Sequence, residues 1–312
     1  MIREVEHEIT VHAAARDVYR LIADVERWPQ LFPPTVYVDH VERSESEERI
    51  RIWATANGEP KSWTSRRALA PEQLTITFRQ EASAPPVASM GGTWIIEPRG
   101  ARLCRVRLLH DYRAVDDDPA GLEWITRAVD RNSRSELAAL KSNIELATGA
   151  AELMLSFEDA VRIDGPAKDI YRFLDEADQW EARLPHVAAV RLREYAPGLQ
   201  SLRMETLTKD GGRHTTESIR VCFPDHKIVY KQTTLPALMQ LHTGCWSLTE
   251  HGDGSTTATS QHTVVINAKA IATVLGAAAG VAEAGAFLRD ALGGNSRATL
   301  ALAEEHVARK KR

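Results

Sequence analysis

Lys61-Ser-Trp-Thr-Ser-Arg-Arg-Ala-Leu69 is the stretch whose reading decides this chain. As a β-strand it turns Lys61, Trp63, Ser65, Arg67 and Leu69 to one face, and Ser62, Thr64, Arg66 and Ala68 to the other. The first face mixes a large aromatic and an aliphatic with a hydroxyl and a guanidinium. A closed core disfavours that mixture, because burying an unpaired charge is costly. A solvated face has no use for Trp63. The wall of a cavity that is partly apolar and partly wet accommodates all of them, and there a polar ligand would meet Arg67. The competing reading is an edge strand with Arg67 in a surface salt bridge. The same strand occurs again as His214-Thr-Thr-Glu-Ser-Ile-Arg-Val-Cys222, with Thr216, Ser218 and Arg220 in the places of Trp63, Ser65 and Arg67.

Working outward, the whole chain is written twice. Val18-Tyr-Arg-Leu-Ile-Ala-Asp-Val-Glu-Arg-Trp28 matches Ile170-Tyr-Arg-Phe-Leu-Asp-Glu-Ala-Asp-Gln-Trp180, an offset of 152 residues between Trp28 and Trp180. The pairs Trp94/Trp246 and His110/His262 keep that offset, whereas Asn132 and Asn295 differ by 163, so an insertion lies around the Ala/Gly-rich stretch after His262. Repeats of this size are domains. We expect them at residues 1–149 and 150–312, joined near Gly149-Ala-Ala. Each copy opens with a strand (residues 4–12 and 153–163). A short amphipathic helix follows, carrying Val18, Leu21, Ile22 and Val25, or Ile170, Phe173, Leu174 and Ala177. A second short helical turn precedes Pro33-Pro34. Six alternating strands then run to about Tyr112 and Ile266, punctuated by turns such as Asn57-Gly58 and Asp210-Gly211-Gly212. A long amphipathic helix closes each copy, with Leu122, Ile125, Val129, Leu137, Leu140 and Ile144 as its apolar stripe in the first. The order predicts an α+β fold: a curved antiparallel seven-stranded sheet around one long helix, with a cavity between them, made twice.

Composition narrows the classes. The chain of 312 residues is 43% hydrophobic and 26% charged, as soluble globular proteins are. A net charge of −4 offers no electrostatic case for nucleic acid or an anionic membrane. The apolar run around 270–282 is too short to span a bilayer, and the N-terminal residues show no signal-peptide pattern. Cys104, Cys222 and Cys245 have no metal spacing, so free thiols in a reducing cytoplasm are expected. Asp116-Asp-Asp-Pro119 reads as a turn and helix cap rather than a metal cluster. With no His-x-x-x-His pair, no Gly-x-Gly-x-x-Gly after a strand and no nucleophile elbow, neither a metal nor a cofactor is expected.

The element order is that of the helix-grip fold of the START/Bet v 1 superfamily. Within it, Trp28-Pro-Gln-Leu-Phe32, Trp63-Thr-Ser-Arg-Arg67, Phe78-Arg-Gln80, Ser89-Met-Gly-Gly-Thr-Trp94 and His110-Asp111 resemble the aromatase/cyclases of bacterial type II polyketide synthases. The duplication resembles the di-domain members of that family. Pro34-Thr-Val36 and Met90-Gly-Gly92 most resemble the actinorhodin-type branch, which acts on chains already reduced at one ketone. The resemblance implies a poly-β-ketone held by thioester on an acyl carrier protein, other synthase components as partners, aldol closure of the first ring between carbons 7 and 12, and dehydrative aromatisation. It also places Arg67 at the position of the chief pocket arginine of the single-domain cyclases. Their pocket tyrosine has no exact counterpart: Thr35 stands there, and Tyr37 lies two residues on, on the same face if the segment is a regular strand. Their second pocket arginine becomes Gln80, and Gln232 in the other half.

Such chemistry requires a shaped cavity, a fixed donor for a ketone or enolate, and an acid and base for loss of water. Arg67 suits the second task. His110 is the first acid/base candidate, since it shares a strand face with Cys104, Val106, Leu108 and Tyr112; a buried neutral histidine is the bland alternative. Ser65 could hold a hydroxyl or simply pack. Trp28, Trp63, Trp94 and Met90 are candidate lining, and Asn132 falls on the expected inward stripe of the closing helix. The second pocket would carry Arg220, Ser218, His262, Gln232 and Trp246. A non-catalytic carrier of a lipid or hydrophobic metabolite is the alternative function, against which a cation halfway along the wall is the discriminating feature.

Overall fold

The computed structural model describes residues 1–312 except 57, 150, 208–210 and 311–312, with backbone alone for 145–149 and 151. Asn57, Ala150 of the expected linker, Asp210 and the last two residues of the basic tail thus lie outside the described residues. The chain divides into two units, Met1–Ala151 and Glu152–Arg312.

In the first unit β1 (Arg3–Val11), α1 (Ala15–Ala23) and α2 (Trp28–Leu31) precede β2 (Thr35–Arg43), β3 (Glu47–Ala56), β4 (Glu59–Ala70), β5 (Thr75–Gln80), β6 (Val87–Gly100) and β7 (Leu103–Ala114); α3 (Pro119–Gly149) closes it. The seven strands form one sheet in the order β1-β7-β6-β5-β4-β3-β2, and all the recorded pairings are antiparallel. The second unit repeats this. It runs β8 (Met154–Ile163), α4 (Ala167–Asp175), α5 (Trp180–Arg183), β9 (Val187–Ala196), β10 (Leu199–Leu207), β11 (Arg213–Phe223), β12 (Lys227–Thr234), β13 (Met239–Glu250) and β14 (Thr256–Ile266), then α6 (Ile271–Leu275) and α7 (Val281–Lys310). Its sheet order is β8-β14-β13-β12-β11-β10-β9. Helix α6 falls within the insertion inferred from the change of offset.

Local chemistry explains these elements. Val18 and Ile22, four residues apart and fully buried, give α1 its core-facing stripe, each worth about 1.5–3 kcal/mol. Asp118 caps α3, accepting the Gly121 N–H at 2.7 Å, with Pro119 opening the helix where a missing N–H is harmless. The apolar side chains of the first unit gather in separate clusters. One joins α1, β6, β7 and the far half of α3; another joins Val25 to β2 and β3; a third joins Tyr112 to Ile125 and Val129. Among the described residues no helix is long and apolar enough to cross a membrane.

Candidate active site

Register places one row of side chains across the inner face of the first sheet: Glu48, Arg67, Phe78, Gly92, His110 and Val5 are successive cross-strand partners. Gln80 pairs with Ser65 one step further along. Arg67 therefore points inward, but its guanidinium already has protein partners. Nη1 meets Oε1 of Glu48 at 2.5 Å and donates to the Ala23 carbonyl at 3.3 Å; Nη2 donates to the Ile22 carbonyl at 2.8 Å. These carbonyls end α1, where the helix itself supplies no further N–H donor. The group also lies 4.9 Å from the Trp28 ring, and both members of the ion pair are only 2% exposed. Burial draws Arg67 down to about 10, against the pull of Glu48, so it remains a cation. The expectation of a free cation on the cavity wall is thereby corrected: the charge is matched within the fold, because β3 brings Glu48 opposite it. Glu48 in turn holds Nε2 of His40 at 2.9 Å.

His110 packs its ring edge-on to Phe78, centroids 5.6 Å apart, and Nδ1 lies 3.4 Å from Oγ of Ser133 on α3. Burial, reinforced by His7, lowers its pKa to about 4, so it is a neutral acceptor at pH 7. Glu136 follows Ser133 by one helical turn and so shares its side of α3. It is half-buried, and no salt bridge to it occurs among the described residues. Desolvation raises its carboxyl to about 7. On the facing sheet Gly92 leaves space for the Phe78 ring, since a Cβ at this position would meet the Leu109 carbonyl and that ring.

The other expected residues are distributed as follows. Ser65 is buried and donates to the Arg79 carbonyl at 3.0 Å, and Gln80 accepts from Ser83 at 3.2 Å. Trp63 packs with Val38 and Ile52, and Thr35 is buried. Met90 joins the Tyr112 cluster; Trp94 is buried 6.1 Å from Phe32; Trp28 donates to the Ile22 carbonyl at 3.0 Å. Two expectations fail. The register of β2 against β3 slips between Thr35 and Tyr37. This bulge places Tyr37 beside Trp53, on the opposite face from Val38 and Ile52, and Tyr37 leaves the inner set. Asn132 is exposed, as is Asn295; Ser133 and Ser296 take the inward positions, four residues on from Val129 in the first case.

The second unit builds the same row as Gln200, Arg220, Tyr230, Gly244, His262 and Phe157. Arg220 again ends a helix, donating to Leu174 at 2.6 Å and to Asp175 at 3.4 Å, with Trp180 at 5.5 Å. Ser218 pairs with Gln232, and Trp246 is core. Here the interior is occupied by its own polar side chains. His262 Nδ1 lies 2.9 Å from Nε2 of His242 and 3.2 Å from the Tyr230 hydroxyl; its Nε2 lies 2.9 Å from Ser296 Oγ and 3.1 Å from Ser260 Oγ. These stand where the first unit has Met90, Phe78, Ser133 and Leu108, while Thr299 replaces Glu136. Glu136 and His242 were missed from the sequence, although comparing the two copies position by position flags both.

Comparison with known proteins places these features. The family described as polyketide cyclase/dehydrase and lipid transport matches residues 3–145 and again 154–307. The chain is 51% identical to a granaticin polyketide synthase bifunctional cyclase/dehydratase of Streptomyces virginiae, over 95% of this chain and 97% of the relative. It is 46% identical to the actinorhodin polyketide synthase bifunctional cyclase/dehydratase of Streptomyces coelicolor, over 95% and 94%. Two solved structures share the fold through the whole chain. The di-domain aromatase/cyclase BexL of the BE-7585A pathway has a TM-score of 0.92 at 65% identity, covering 98% of each chain. The di-domain StfQ of the steffimycin pathway has a TM-score of 0.88 at 31% identity, covering 98% of this chain and 99% of that one. This chain belongs to the polyketide cyclase/dehydrase family, as a tandem pair of its domains.

Proposed function

We propose that the protein is an aromatase/cyclase of a type II polyketide synthase, working on a poly-β-ketone carried by an acyl carrier protein and reduced at one ketone, and that its chemistry is done inside the first unit. The observation that carries this assignment is the contact of a neutral imidazole, His110, with Ser133 on the facing helix, which one turn further on carries the half-buried carboxyl of Glu136. Loss of water from a cyclised β-hydroxy ketone needs both. His110 takes the α-proton, already acidic between two carbonyls, and the electron pair forms the new double bond. Glu136, protonated below pH 7, gives its proton to the departing hydroxyl, which leaves as water. Arg67 is a positioning residue that ties α1 to β3 and so shapes the wall. The cavity folds the flexible chain so that one nucleophile meets one ketone, an effect worth about 7–11 kcal/mol in favourable cases.

The test is reconstitution of the minimal synthase with its ketoreductase, with products followed by mass spectrometry. Wild type diverts shunt products into a ring one water lighter. Glu136→Gln keeps the shape but cannot transfer a proton, and should lower dehydration by about 10²–10⁴-fold. Activity should also fall as pH rises above about 7, where Glu136 loses its proton. An unchanged profile with and without the protein sinks the cyclase reading and leaves a carrier of hydrophobic ligands.

A further inference from the structure

This chain keeps its aromatic side chains at least partly buried, with one exception made twice. Among the described residues, the only exposed Trp, Tyr or Phe side chains are Trp124 on α3 and Phe287 on α7. They are 44% and 49% exposed. They also stand at matching places, related by the same offset of 163 that relates Asn132 to Asn295.

The surroundings of the two rings differ. Three, seven and ten residues on from Trp124 come Arg127, Arg131 and Arg134, all exposed. At 3.6 residues per turn these four side chains form one ridge, on the side of α3 opposite Ile125, Val129 and Ser133. The arginines span about 10 Å along the helix axis. The same steps from Phe287 reach Asp290, Gly294 and Arg297, so the second copy kept the ring and lost two of the three cations. Arg127 and Arg134 have carboxylates on their own helix, Glu123 at 3.4 Å and Asp130 at 3.0 Å. Exposed pairs of this kind hold weakly, and a partner's carboxylates can replace them.

The ridge also has a definite place. A groove of about 560 Å³ between β1 and α3 is lined by Val5, His7, Thr126, Arg127, Asp130 and Arg134. Val5 is the cross-strand partner of His110. Two of the ridge arginines therefore border a groove that reaches the strand next to that of His110. Trp and Arg are the side chains that most often dominate protein interfaces, and a ring in line with cations fits a helix bearing acids beside an apolar residue. With a net charge of −4, the chain as a whole has no pull on an acidic partner. Screening confines attraction to about 10 Å, so it must come from a local cluster of cations.

We propose that Trp124, Arg127, Arg131 and Arg134 are the docking surface for an acidic helix of the carrier protein, which rests on the reading that the first unit works on a carrier-bound chain. The carrier then lies against α3 beside the groove, and the second unit, without the arginines, does not dock it.

The probe is the carrier protein of the same synthase, with its pantetheine arm attached but unacylated, titrated into the full-length protein by calorimetry. Wild type should bind, and more weakly as salt is raised. Trp124→Ser and the double variant Arg127→Glu/Arg131→Glu should each lose affinity at least about tenfold, with folding checked by circular dichroism, while Phe287→Ser should bind as wild type does. In the reconstituted synthase the double variant should need at least about tenfold more carrier protein for half-maximal product formation while keeping its maximal rate, a split that a distorted active site would not give. Undiminished affinity in both folded ridge variants overturns the docking site, as does a wild type that does not bind the carrier or an equal loss in Phe287→Ser. Self-association of the protein that the same variants abolish would assign the ridge to a second copy instead. Failure of the cyclase reading shows separately, as an unchanged product profile although the carrier binds at the ridge.

Discussion

Arg67 and Arg220 hold the same place in the two copies but have different polar surroundings. In the first unit the carboxylate is Glu48 on β3 and the helix ends on Ala23. In the second, the β3 position carries Gln200 and the helix-end position carries Asp175, whose Oδ1 accepts from Gln200 Nε2 at 3.3 Å. An exchange of carboxylate position occurs around another arginine pair. Asp130 on α3 serves Arg134 and His7, whereas on the matching positions Gly293 is bare and Asp159, on the strand, serves Arg297 at 2.7 Å. At Arg134 and Arg297 the arginine was retained and its carboxylate moved from helix to strand, as expected if an uncompensated charge in the fold is costlier than any one way of compensating it. Glu48→Gln alone should therefore destabilise the protein by about 3 kcal/mol, because Arg67 is left buried without its anion. Adding Ala23→Asp, which copies the second unit, should restore a large part of that loss. Urea unfolding of the single and double variants measures both, and equal stability of the two would refute the coupling.

At the scale of elements, the features legible in the sequence were those with a period. Alternation in β4 correctly sent Trp63, Ser65, Arg67 and Leu69 to one side, and the offset between copies gave the sheet twice over. Single-residue irregularities were not legible. The bulge after Thr35 turns Tyr37 over because a strand has period two, and nothing in Thr35-Val-Tyr37 announces it. The inward stripe of α3 advances from Val129 to Ser133 by four residues, so Asn132, three on, faces out. Glu136 was hidden for a different reason: a charged residue on an amphipathic helix is normally solvated, and only packing reveals otherwise. Gly92 belongs with these contextual features. It lets β5 and β7 bring Phe78 and His110 together across β6, and Gly244 does the same for Tyr230 and His262. Gly92→Ala should cost about 1–3 kcal/mol from overpacking against the Leu109 carbonyl and Phe78, read as a lowered melting temperature.

At the scale of the whole molecule, one fold encloses two interiors with different proton chemistry, and pH should separate them. His110 is held down to about 4 by burial, and in the second unit His242 and His262 are held to about 3 and about 4. Each is neutral when folded and would titrate near 6.5 when unfolded. Below 6.5 the unfolded chain takes up protons that the folded chain refuses. The stability these groups provide is thus complete above 6.5 and is lost as pH falls toward their folded values. Glu136 runs the other way. Raised from 4.5 to about 7, it takes its proton first in the folded state, so lowering the pH from 7 toward 4.5 favours folding. In the first unit the two effects oppose each other. In the second, Thr299 replaces Glu136, and His186 and His214, also lowered by burial, add to the loss. Taking His242 and His262 alone, moving from pH 6.5 to 5 removes roughly 3 kcal/mol. Amide hydrogen exchange at pH 7 and pH 5, corrected for intrinsic rates, should show protection falling in β11 to β14 well before β4 to β7. Equal loss in both sheets would mean that the second interior is less dry than its burial implies, and His242→Phe should flatten the pH dependence of the second sheet alone.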